Sequence, residues 1–562
     1  MIKNFLTILL TFLIVIFSSC QNQKSPEFKD KKSLDNKIQI AIPNDIDFFN
    51  PLYSNDVYSG IINDLIFSSL TYSEFDTDSG KLIYYPNLAK KWEIKNDHKS
   101  ILFILKMNLR WNDGTPFTSE DVKYSYILYT HPDVMSVRQD FERYFIHNSD
   151  GMIDFNKSFV VLNDSMIQFN FNESVEDPLF ITGLPILPKH IFKNIPLNKI
   201  FYSEINFKPI GIGPFKLESY TRQQQIVLSK NDSTNFDHIP LIDKVIFKVV
   251  PDYSSRINQL KNGEVDIVPS IRPDDAELLA KRFENITISS ISGRDYDYIG
   301  WNNIDGETFS KTKGKVIKPH PIFGNKKIRT ALTLAINRHE IMEGYFNNFA
   351  ILAETPISPI FKNFINNELG HFPFNPDSAK KILIEEGWID HDGDNIIDKN
   401  GIPFKIKLSI ASGKPHREFA ASIVKNYLEK IGISVQIVVL ETAVFFQNLF
   451  ERKLDAWIAG WTIPLDLDLQ AFWGSNLKVN IFNVSGYQNS EIDKIFLELK
   501  HAKSFNERRE LINKFQKIIY QDQPVTFLYW IDNIIGYNRR INNIQLNPVA
   551  FTNRIWEWYL SN

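Results

Sequence analysis

Four aspartates within nine residues form the densest group of possible metal ligands in this sequence. They occupy positions one, three, five and nine of a loop of the EF-hand type, and they are Asp390, Asp392, Asp394 and Asp398. Calcium prefers oxygen ligands, but an EF-hand loop also needs glycine at position six and a bidentate glutamate at position twelve. Those positions hold Asn395 and Gly401. We therefore favour a solvated acidic turn, with a calcium site as the alternative.

Motifs for cofactor or covalent chemistry are incomplete or missing. Gly211-x-Gly213 lacks the third glycine of a dinucleotide-binding turn, and Pro214 follows it directly. The sequence contains no phosphate-binding G-x-x-x-x-G-K-[ST] loop, no G-x-S-x-G nucleophile elbow and no H-E-x-x-H zinc motif. We therefore expect no catalytic residue, no cofactor and no metal ion.

The elements around these residues alternate between strands and helices. Apolar, β-rich runs predict strands at 37–42, 226–229, 244–250 and 404–410. Amphipathic patterns predict helices over 377–387 and 419–432, each closed by its last glycine. An α/β architecture follows. The chain of 562 residues exceeds the roughly 250 to 300 that one core supports, so we expect at least two lobes with a cleft between them.

The segment 111–122, WNDGTPFTSEDV, combines turn and helix signals directly after a strand pattern at 101–105. Asn112, Asp113 and Gly114 predict a turn. Thr118 predicts a helix N-cap, with Asp121 three residues later completing a pattern close to a capping box. Because each special residue has a turn or capping role, we expect this segment to be architectural and not to contact a ligand.

The same segment resembles the signature of solute-binding protein family 5, the extracytoplasmic oligopeptide- and dipeptide-binding proteins of ABC importers. Other segments similar to this family follow in its order at 47–51, 86–92, 209–215, 260–266, 328–338, 375–381, 460–461 and 486–489. They cover nearly all of the mature chain. The resemblance implies a protein that captures peptides or a related small solute and delivers them to the permease of an ABC importer with its ATPases.

The resemblance also implies a fold and its domains. The fold would be the α/β, two-lobed periplasmic-binding-protein fold of class II type, with an inserted third domain and a hinge of two crossing segments. Lobe I would comprise 36–75, 207–303 and 530–562, the inserted side domain 76–206, and lobe II 304–529. The chain would cross between the lobes near 301–303 and near 529–531. Closure about such a hinge is an established motion of binding proteins.

The resemblance places ten residues at the cleft, where they would face the ligand. They are Asp56, Tyr58, Tyr298, Trp301, Asn302, Trp461, Asp466, Asp468, Tyr529 and Trp530. Large rings also fill ordinary cores, so burial remains the alternative for each tyrosine and tryptophan. Peptide backbones can pair with exposed strand edges, which explains how such a site accepts many sequences.

The resemblance fails at one position that bears on the ligand. In peptide-binding members, an aspartate three residues after the tryptophan of the Gly-Trp pair commonly binds the α-ammonium group of the ligand, and here that position is Pro464. A buried ammonium group needs an anionic partner. We therefore predict that Asp466 or Asp468 takes this role. The alternative is a ligand without a free amine.

The N-terminus predicts the cellular compartment. Lys3 precedes an apolar run over 5–17, which suits a signal peptide and is short for a membrane span. Residues 17–20, FSSC, resemble a lipobox in which Phe17 replaces the usual leucine, and Cys20 is the only cysteine in the chain. We predict a signal peptide at 1–20, lipidation of Cys20, a flexible tether at 21–35 and a location outside the cytoplasmic membrane of a bacterium. The alternative is a cleaved signal peptide with an incidental cysteine.

Composition narrows the remaining choices. The formal net charge is −3, with scattered lysines, which gives no electrostatic footprint for nucleic acid. After Cys20 no stretch approaches the roughly 20 apolar residues of a membrane span, so we expect the body of the protein to lie outside the bilayer. We also expect the protein to be a monomer. Two rivals remain. One is an extracellular hydrolase with paired carboxylates, and the other is a binding protein of the same fold used for signalling or cell-wall peptide recycling.

Overall fold

The computed structural model describes residues 36–232, 238–502 and 504–561. The predicted signal peptide, Cys20 and the tether lie outside the described residues. The strands, in chain order, are β1 Lys37–Ile42, β2 Thr71–Asp76, β3 Lys81–Pro86, β4 Ala89–Lys95, β5 Ser100–Leu105, β6 Phe159–Asn163, β7 Met166–Asn170, β8 Phe215–Thr221, β9 Gln225–Lys230, β10 Lys244–Val249, β11 Ile267–Pro269, β12 Ile286–Trp301, β13 Ala350–Leu352, β14 Asp398–Lys399, β15 Ile402–Pro403, β16 Lys405–Ala411, β17 Ser434–Leu440, β18 Ala456–Thr462, β19 Val525–Asn538, β20 Ile541–Asn542 and β21 Tyr559–Leu560.

Helices alternate with these strands, as the sequence predicts for an α/β protein. The α-helices are Val57–Ile66, Ser119–Thr130, Phe155–Ser158, Pro178–Ile181, Lys189–Phe192, Tyr253–Lys261, Pro273–Arg282, Gly306–Lys311, Lys326–Ala335, Arg338–Phe346, Pro376–Glu385, Pro415–Glu429, Thr442–Phe450, Gln470–Trp473, Ser490–Leu499 and Phe505–Asp522. The short 3-10 helices are Pro51–Tyr53, Pro132–Val134, Gln139–Tyr144, Leu197–Tyr202, Glu204–Phe207, Lys362–Phe364 and Ile555–Glu557. None of the helices in the described part of the chain has the length and apolar character of a membrane span.

The four predicted strands and two predicted helices are confirmed, with ends that differ from the prediction by at most four residues. They correspond to β1, β9, β10 and β16 and to the helices Pro376–Glu385 and Pro415–Glu429. The glycines that close these helices, Gly387 and Gly432, have φ of 82° and 83°. Glycine adopts this left-handed conformation without a steric penalty, so it ends a helix readily.

A central sheet joins two lobes. Its strand order is β17-β16-β18-β12-β19-β11-β1-β10-β9-β8, and β13 pairs with β19 off this path. Strands β12 and β19 are the longest and lie side by side, antiparallel, in the middle of the sheet. We name the part built on β1 and β8 to β11 lobe I, and the part built on β13 and β16 to β18 lobe II.

The hinge lies where β12 and β19 pass from one lobe to the other. Their register is interrupted between Ser292 and Asp295, which places the break on β12 several residues before the predicted crossing at 301–303. On β19 the corresponding residues are Ile531 and Asp532, next to the predicted crossing. A Cβ on Gly293 would lie 2.3 Å from the Ile531 carbonyl oxygen, so the bulge requires glycine.

The side domain carries its own four-stranded sheet, in the order β4-β5-β7-β6, covered by the helix Ser119–Thr130. This helix begins with the predicted capping box, in which the Thr118 N–H donates to Asp121 Oδ2 over 2.9 Å. Trp111 is fully buried in the core that the side domain shares with lobe I. These contacts agree with the architectural role predicted for the segment 111–122.

Candidate functional site

The loop after β18 presents two aspartates at the boundary between lobe II and the side domain. In the sequence Ile463-Pro464-Leu465-Asp466-Leu467-Asp468-Leu469, the side chains of Ile463, Leu467 and Leu469 are buried while both aspartates are exposed. The Leu467 backbone has a φ of 55°, an unusual value for a residue other than glycine, and its N–H donates to the Pro464 carbonyl over 3.2 Å. This turn directs the carboxylates outwards, as the alternation of leucine and aspartate suggests.

The Asp466 side chain keeps acceptor capacity free. Its Oδ1 accepts the Asp468 N–H over 3.0 Å. The Asp466 side chain is exposed by its surface area, yet desolvation by the groups around it raises its pKa, and the charge of Asp468 adds to this rise. A raised pKa means that the negative charge lacks sufficient compensation in the protein alone. A cation bound at this position would supply that compensation.

The side domain supplies further charges to the same boundary. Arg508, from the helix Phe505–Asp522, pairs with Glu176 of the side domain and donates to the Asp466 carbonyl oxygen. Desolvation raises the pKa of the Glu176 carboxyl, the charge of Arg508 lowers it, and the charge of Asp466 raises it. Asp177 accepts a hydrogen bond from the Tyr84 hydroxyl over 2.5 Å.

Beside the aspartate loop, lobe II carries five aromatic rings that remain partly exposed to solvent. We name them the open aromatic cluster, and they are Phe446, Phe450, Trp461, Phe472 and Phe482. The Trp461 ring lies 5.5 Å from each of Phe472 and Phe482, whose rings stack at 5.3 Å. The short helix Gln470–Trp473 that carries Phe472 begins where Asp468 Oδ1 accepts the Gln470 N–H over 3.2 Å. Carboxylates and apolar rings are therefore adjacent, as in sites for amphipathic ligands.

Strand β18 of lobe II ends at this boundary, close to the residues of the candidate site. β18 runs antiparallel to β12, with Thr462 opposite Asp295 and Ala456 opposite Trp301, so its carboxyl end faces the hinge. Trp461 and the loop that follows it are therefore at the lobe I end of lobe II. Carboxyl ends of strands in open α/β sheets are the usual place for ligands.

A second group of charged residues lies inside lobe II and is saturated with partners. Asp297 is 1% exposed and forms two hydrogen bonds with Arg417, Nε to Oδ2 over 2.9 Å and Nη2 to Oδ1 over 2.7 Å. His416 Nε2 lies 3.3 Å from Oδ2, and the Tyr529 hydroxyl lies 3.5 Å from it. Burial by itself raises the pKa of Asp297, but the charge of Arg417 and the hydrogen bonds from His416 and Arg417 hold it well below its usual range.

Several residues predicted at the cleft are enclosed in lobe II. Trp301 is fully buried and its indole N–H donates to Thr526 Oγ1 over 3.1 Å. The Asn302 amide donates to the carbonyls of Arg452 and Leu454, both over 3.2 Å. Tyr529 is fully buried beside Asp297. The polar atoms of these three side chains have hydrogen-bond partners within lobe II, so the side chains form part of its core.

Tyr298 and Trp530 are also buried, but on the face of the sheet that carries Trp461. Both rings pack against Tyr296, at centroid distances of 5.7 and 4.9 Å. Burial raises the pKa of Tyr298 to about 12, although the Trp457 indole N–H, which donates to the Tyr298 hydroxyl over 3.4 Å, lowers it. Tyr298 and Trp530 therefore belong to the hydrophobic core against which Trp461 packs.

The remaining predicted residues, Asp56 and Tyr58, belong to lobe I. Asp56 caps the helix Val57–Ile66 by accepting the N–H groups of Tyr58 and Ser59 over 3.0 and 2.9 Å. Tyr58 is half-buried, with Ser270 as a hydrogen-bond partner. Ser270 follows β11, which is antiparallel to β19 and therefore runs towards lobe II. The structure thus brings Asp466 and Asp468 together with Trp461, and places Asp56 and Tyr58 on the opposite lobe.

The sequence did not indicate the residues that surround the aspartate loop. Glu176, Asp177 and Arg508 could not be linked to Asp466 because 332 positions separate Arg508 from Glu176. The open aromatic cluster had a detectable signal. In the helix Thr442–Phe450, Phe445 and Leu449 face the core, whereas Phe446 and Phe450, four residues apart, form a second aromatic face.

The acidic loop proposed as an alternative calcium site brings Asp390, Asp392 and Asp394 within 4.8 Å of one another. Asp390 is occupied with the N–H groups of Gly393 and Asn395, over 2.8 and 3.0 Å. Asp398 pairs with His391 instead of joining the other three. These contacts engage part of the carboxylate group, and the solvated acidic turn favoured from the sequence stays a prediction, with calcium as its alternative.

Two lobes joined by two strands, with carboxylates and open aromatic rings where lobe II meets the side domain, fit a solute-binding protein. The chain belongs to the bacterial extracellular solute-binding proteins of family 5, because the family model described as "family 5 Middle" matches residues 84–482.

Individual relatives agree with this assignment along the chain. It is 29% identical to the oligopeptide-binding protein AppA of Bacillus subtilis over 98% of this chain and 97% of AppA. It is 23% identical to the dipeptide-binding protein DppE of the same organism, over 84% of this chain and 83% of DppE.

Solved structures show the same fold. AppA of Bacillus subtilis in complex with a nonapeptide matches with a TM-score of 0.73 and 27% identity, over 94% of this chain and 99% of AppA. CtaP of Listeria monocytogenes matches with a TM-score of 0.77 over 94% of this chain and 99% of CtaP, at 21% identity, and shows the fold alone.

Proposed function

We propose that this protein captures peptides between its two lobes and delivers them to the permease of an ABC importer. The observation that carries the proposal is the adjacency of the aspartate loop and the open aromatic cluster at the lobe boundary. A peptide offers both an ammonium group and apolar side chains, so both parts of the site have a matching ligand group. The peptide-binding relatives AppA and DppE support the same ligand class.

Asp466 is the preferred partner of the peptide ammonium group in this proposal, with Asp468 beside it. The position three residues after Trp461 is Pro464, which has no charge. Asp466 is exposed at the boundary, and its raised pKa reports an uncompensated charge. The apolar side chains of the peptide contact Trp461, Phe472 and Phe482, while the buried Tyr298 and Trp530 hold that surface in place.

The proposal includes the location of the protein. Lipidation of Cys20 would anchor the chain to a membrane, and residues 21–35 would let the lobes reach a permease. Mass spectrometry of the protein extracted from membranes tests the anchor. A diacylated cysteine at the N-terminus is expected, and an unmodified Cys20 in the mature protein would remove the anchor from the proposal.

The ligand itself is tested by native mass spectrometry of the purified protein, followed by denaturation and identification of the released molecule. A series of short peptides is expected. Release of a single non-peptide species would show that the ligand is not a peptide. Pro464, at the position of the usual amine-binding aspartate, would then be explained by a ligand without a free amine.

The double variant Asp466→Ala/Asp468→Ala tests the ammonium site. Charge-assisted hydrogen bonds contribute about 1.5 to 3 kcal/mol, so affinity for a free-amine peptide should fall on the order of tenfold to a hundredfold. Isothermal titration calorimetry measures the loss, with the N-acetylated peptide as the ligand control. Asp392→Ala, in the exposed acidic turn, is the matched protein control. If the double variant binds as tightly as the parent, the assignment of these aspartates fails.

A further inference from the structure

Arg508 connects lobe II with the side domain, which shares its hydrophobic core with lobe I. Its guanidinium pairs with Glu176 in the side domain and also donates to the Asp466 carbonyl oxygen in the ligand loop. The Arg508 side chain is only 14% exposed, although Glu176 is 61% exposed. One side chain of lobe II therefore contacts both the opposite side of the boundary and the backbone of the loop that carries Asp466.

The helix Phe505–Asp522 holds Arg508 firmly in lobe II. Leu511, Ile512 and Phe515 anchor this helix in the lobe II core. Phe505, at its first turn, packs against Phe364 with ring centroids 5.0 Å apart. Arg508 is therefore presented on a fixed element, and its two partners determine where its guanidinium lies.

Glu176 is fixed in the side domain beside Asp177, which begins the helix Pro178–Ile181 by accepting the N–H groups of Leu179 and Phe180. The side domain also contacts lobe II through the hairpin of β2 and β3. In the turn of this hairpin, Asp78 accepts hydrogen bonds from Lys362 Nζ over 2.9 Å and, at its carbonyl oxygen, from the Asn363 amide over 2.7 Å. The pair of Arg508 and Glu176 therefore belongs to a contact surface between the side domain and lobe II.

The Asp466 carboxylate is left available by this arrangement. The Arg508 N–H groups donate to the Asp466 carbonyl oxygen and to the Glu176 carboxylate. Arg508 therefore orients the loop through its backbone and does not form an ion pair with the Asp466 carboxylate. The charge of Arg508 nevertheless lowers the pKa of Asp466, while burial raises it more strongly.

We propose that Arg508 is a positioning residue that couples closure of the lobes to the orientation of the ligand loop. In the closed arrangement Glu176 holds the guanidinium against the Asp466 carbonyl, and the loop presents its carboxylate to the cleft. When the lobes separate, Glu176 leaves, Arg508 loses its ionic partner, and the loop is no longer held. The effect on ligand dissociation rests on the proposed function, whereas the effect on lobe separation does not.

Lobe separation is measured without ligand. In the Cys20→Ser background, spin labels at Asp150→Cys in the side domain and Lys494→Cys in lobe II report their distance by electron–electron double resonance. Both positions are exposed. Arg508→Ala should shift the distances towards longer values, with the open population rising about fivefold, because partly exposed ion pairs contribute up to about 1 kcal/mol. Arg509→Ala, an exposed neighbour on the same helix, is the matched control and should leave the distances unchanged.

A second variant separates closure from a folding defect. Glu176→Gln removes the same ion pair from the side domain and should give the same shift as Arg508→Ala. The unfolding free energy of both variants should stay within about 1 kcal/mol of the parent. Distances that remain those of the parent in both variants would overturn the proposal.

Exchange of the two charges separates the roles of Arg508. Glu176→Arg with Arg508→Glu restores an ion pair across the boundary, but a glutamate cannot donate to the Asp466 carbonyl. The exchange should restore the closed distances. A synthetic tetrapeptide of alanine and phenylalanine should nevertheless dissociate several-fold faster from this variant than from the parent, as measured by stopped-flow fluorescence. Dissociation restored together with the distances would overturn the positioning role. Absence of tetrapeptide binding to the parent would count against the proposed function alone, since the distances decide the closure role.

Discussion

Asp297 and Asp466 are both aspartates of lobe II with an arginine nearby, yet their environments are opposite. Asp297 is buried, receives two hydrogen bonds from Arg417 and has a lowered pKa. Asp466 is exposed at the lobe boundary, receives its arginine contact on the backbone carbonyl and has a raised pKa.

The difference shows how to separate structural from binding carboxylates. Partners inside the protein satisfy Asp297, so it has no capacity left for a ligand, and its contribution is to the stability of lobe II. The protein compensates the negative charge of Asp466 incompletely, so a cationic ligand would stabilise the ionised carboxylate. Perturbed pKa values of opposite sign thus accompany opposite roles in one lobe.

The largest effect expected from this comparison is on stability. Arg417→Ala leaves Asp297 as a buried charge without its main partner, which should lower the free energy of unfolding by about 3 to 5 kcal/mol. Denaturant unfolding followed by circular dichroism measures this change. Arg508→Ala, at the boundary, should cost less than about 1 kcal/mol. Similar losses in the two variants would abolish the distinction between the two sites.

A smaller effect is expected from the packing around Asp297. A Cβ on Gly460 would lie 2.2 Å from Asp297 Oδ1 and 2.9 Å from Arg417 Nη2, so Gly460→Ala should destabilise the protein by about 1 to 3 kcal/mol. Gly60→Ala is the control, because a Cβ there meets nothing within 4 Å and the residue lies in the helix Val57–Ile66. It should stabilise by up to about 1 kcal/mol. Thermal unfolding of both variants measures the difference, and a neutral Gly460→Ala would contradict the tight packing.

The pH dependence gives the finest test of the comparison. Binding of an ammonium group needs ionised Asp466, whose pKa is raised above 3.8, so affinity should fall by up to about tenfold per pH unit below that raised value. Asp297 has a lowered pKa, so its stabilising contribution is complete above the unfolded value of about 3.9 and is lost only as pH falls through the folded value below it. Affinity should therefore decline at a higher pH than the stability contributed by Asp297.

Calorimetry with a free-amine peptide and its N-acetylated form, from neutral to acidic pH, measures the first curve. Denaturant unfolding of the parent and of Asp297→Asn over the same range measures the second. The acetylated peptide should lack the decline in affinity. A free-amine affinity that stays constant to about pH 4 would show that no carboxylate with a raised pKa binds the ligand.

Local patterns in the sequence predicted the local structure well. Thr118 and Asp121 form the predicted capping box, Gly387 and Gly432 end the predicted helices, and β1 matches its predicted range at both ends. These features depend on residues close together in the chain, whose propensities and spacing are sufficient to specify them. The family motifs, distributed in order along the chain, likewise indicated the family that the comparisons establish.

The sequence by itself therefore determined the α/β elements, their caps and the family. Only the tertiary structure decided which polar and aromatic residues are enclosed, as Trp301, Asn302 and Tyr529 are, and which remain open, as Asp466 and Trp461 do. It also decided that Arg508 meets Glu176 and that the break in β12 lies between Ser292 and Asp295. The physical reason is that burial, the compensation of charge and the pairing of distant strands depend on neighbours contributed by remote parts of the chain, which residue type and local spacing do not specify.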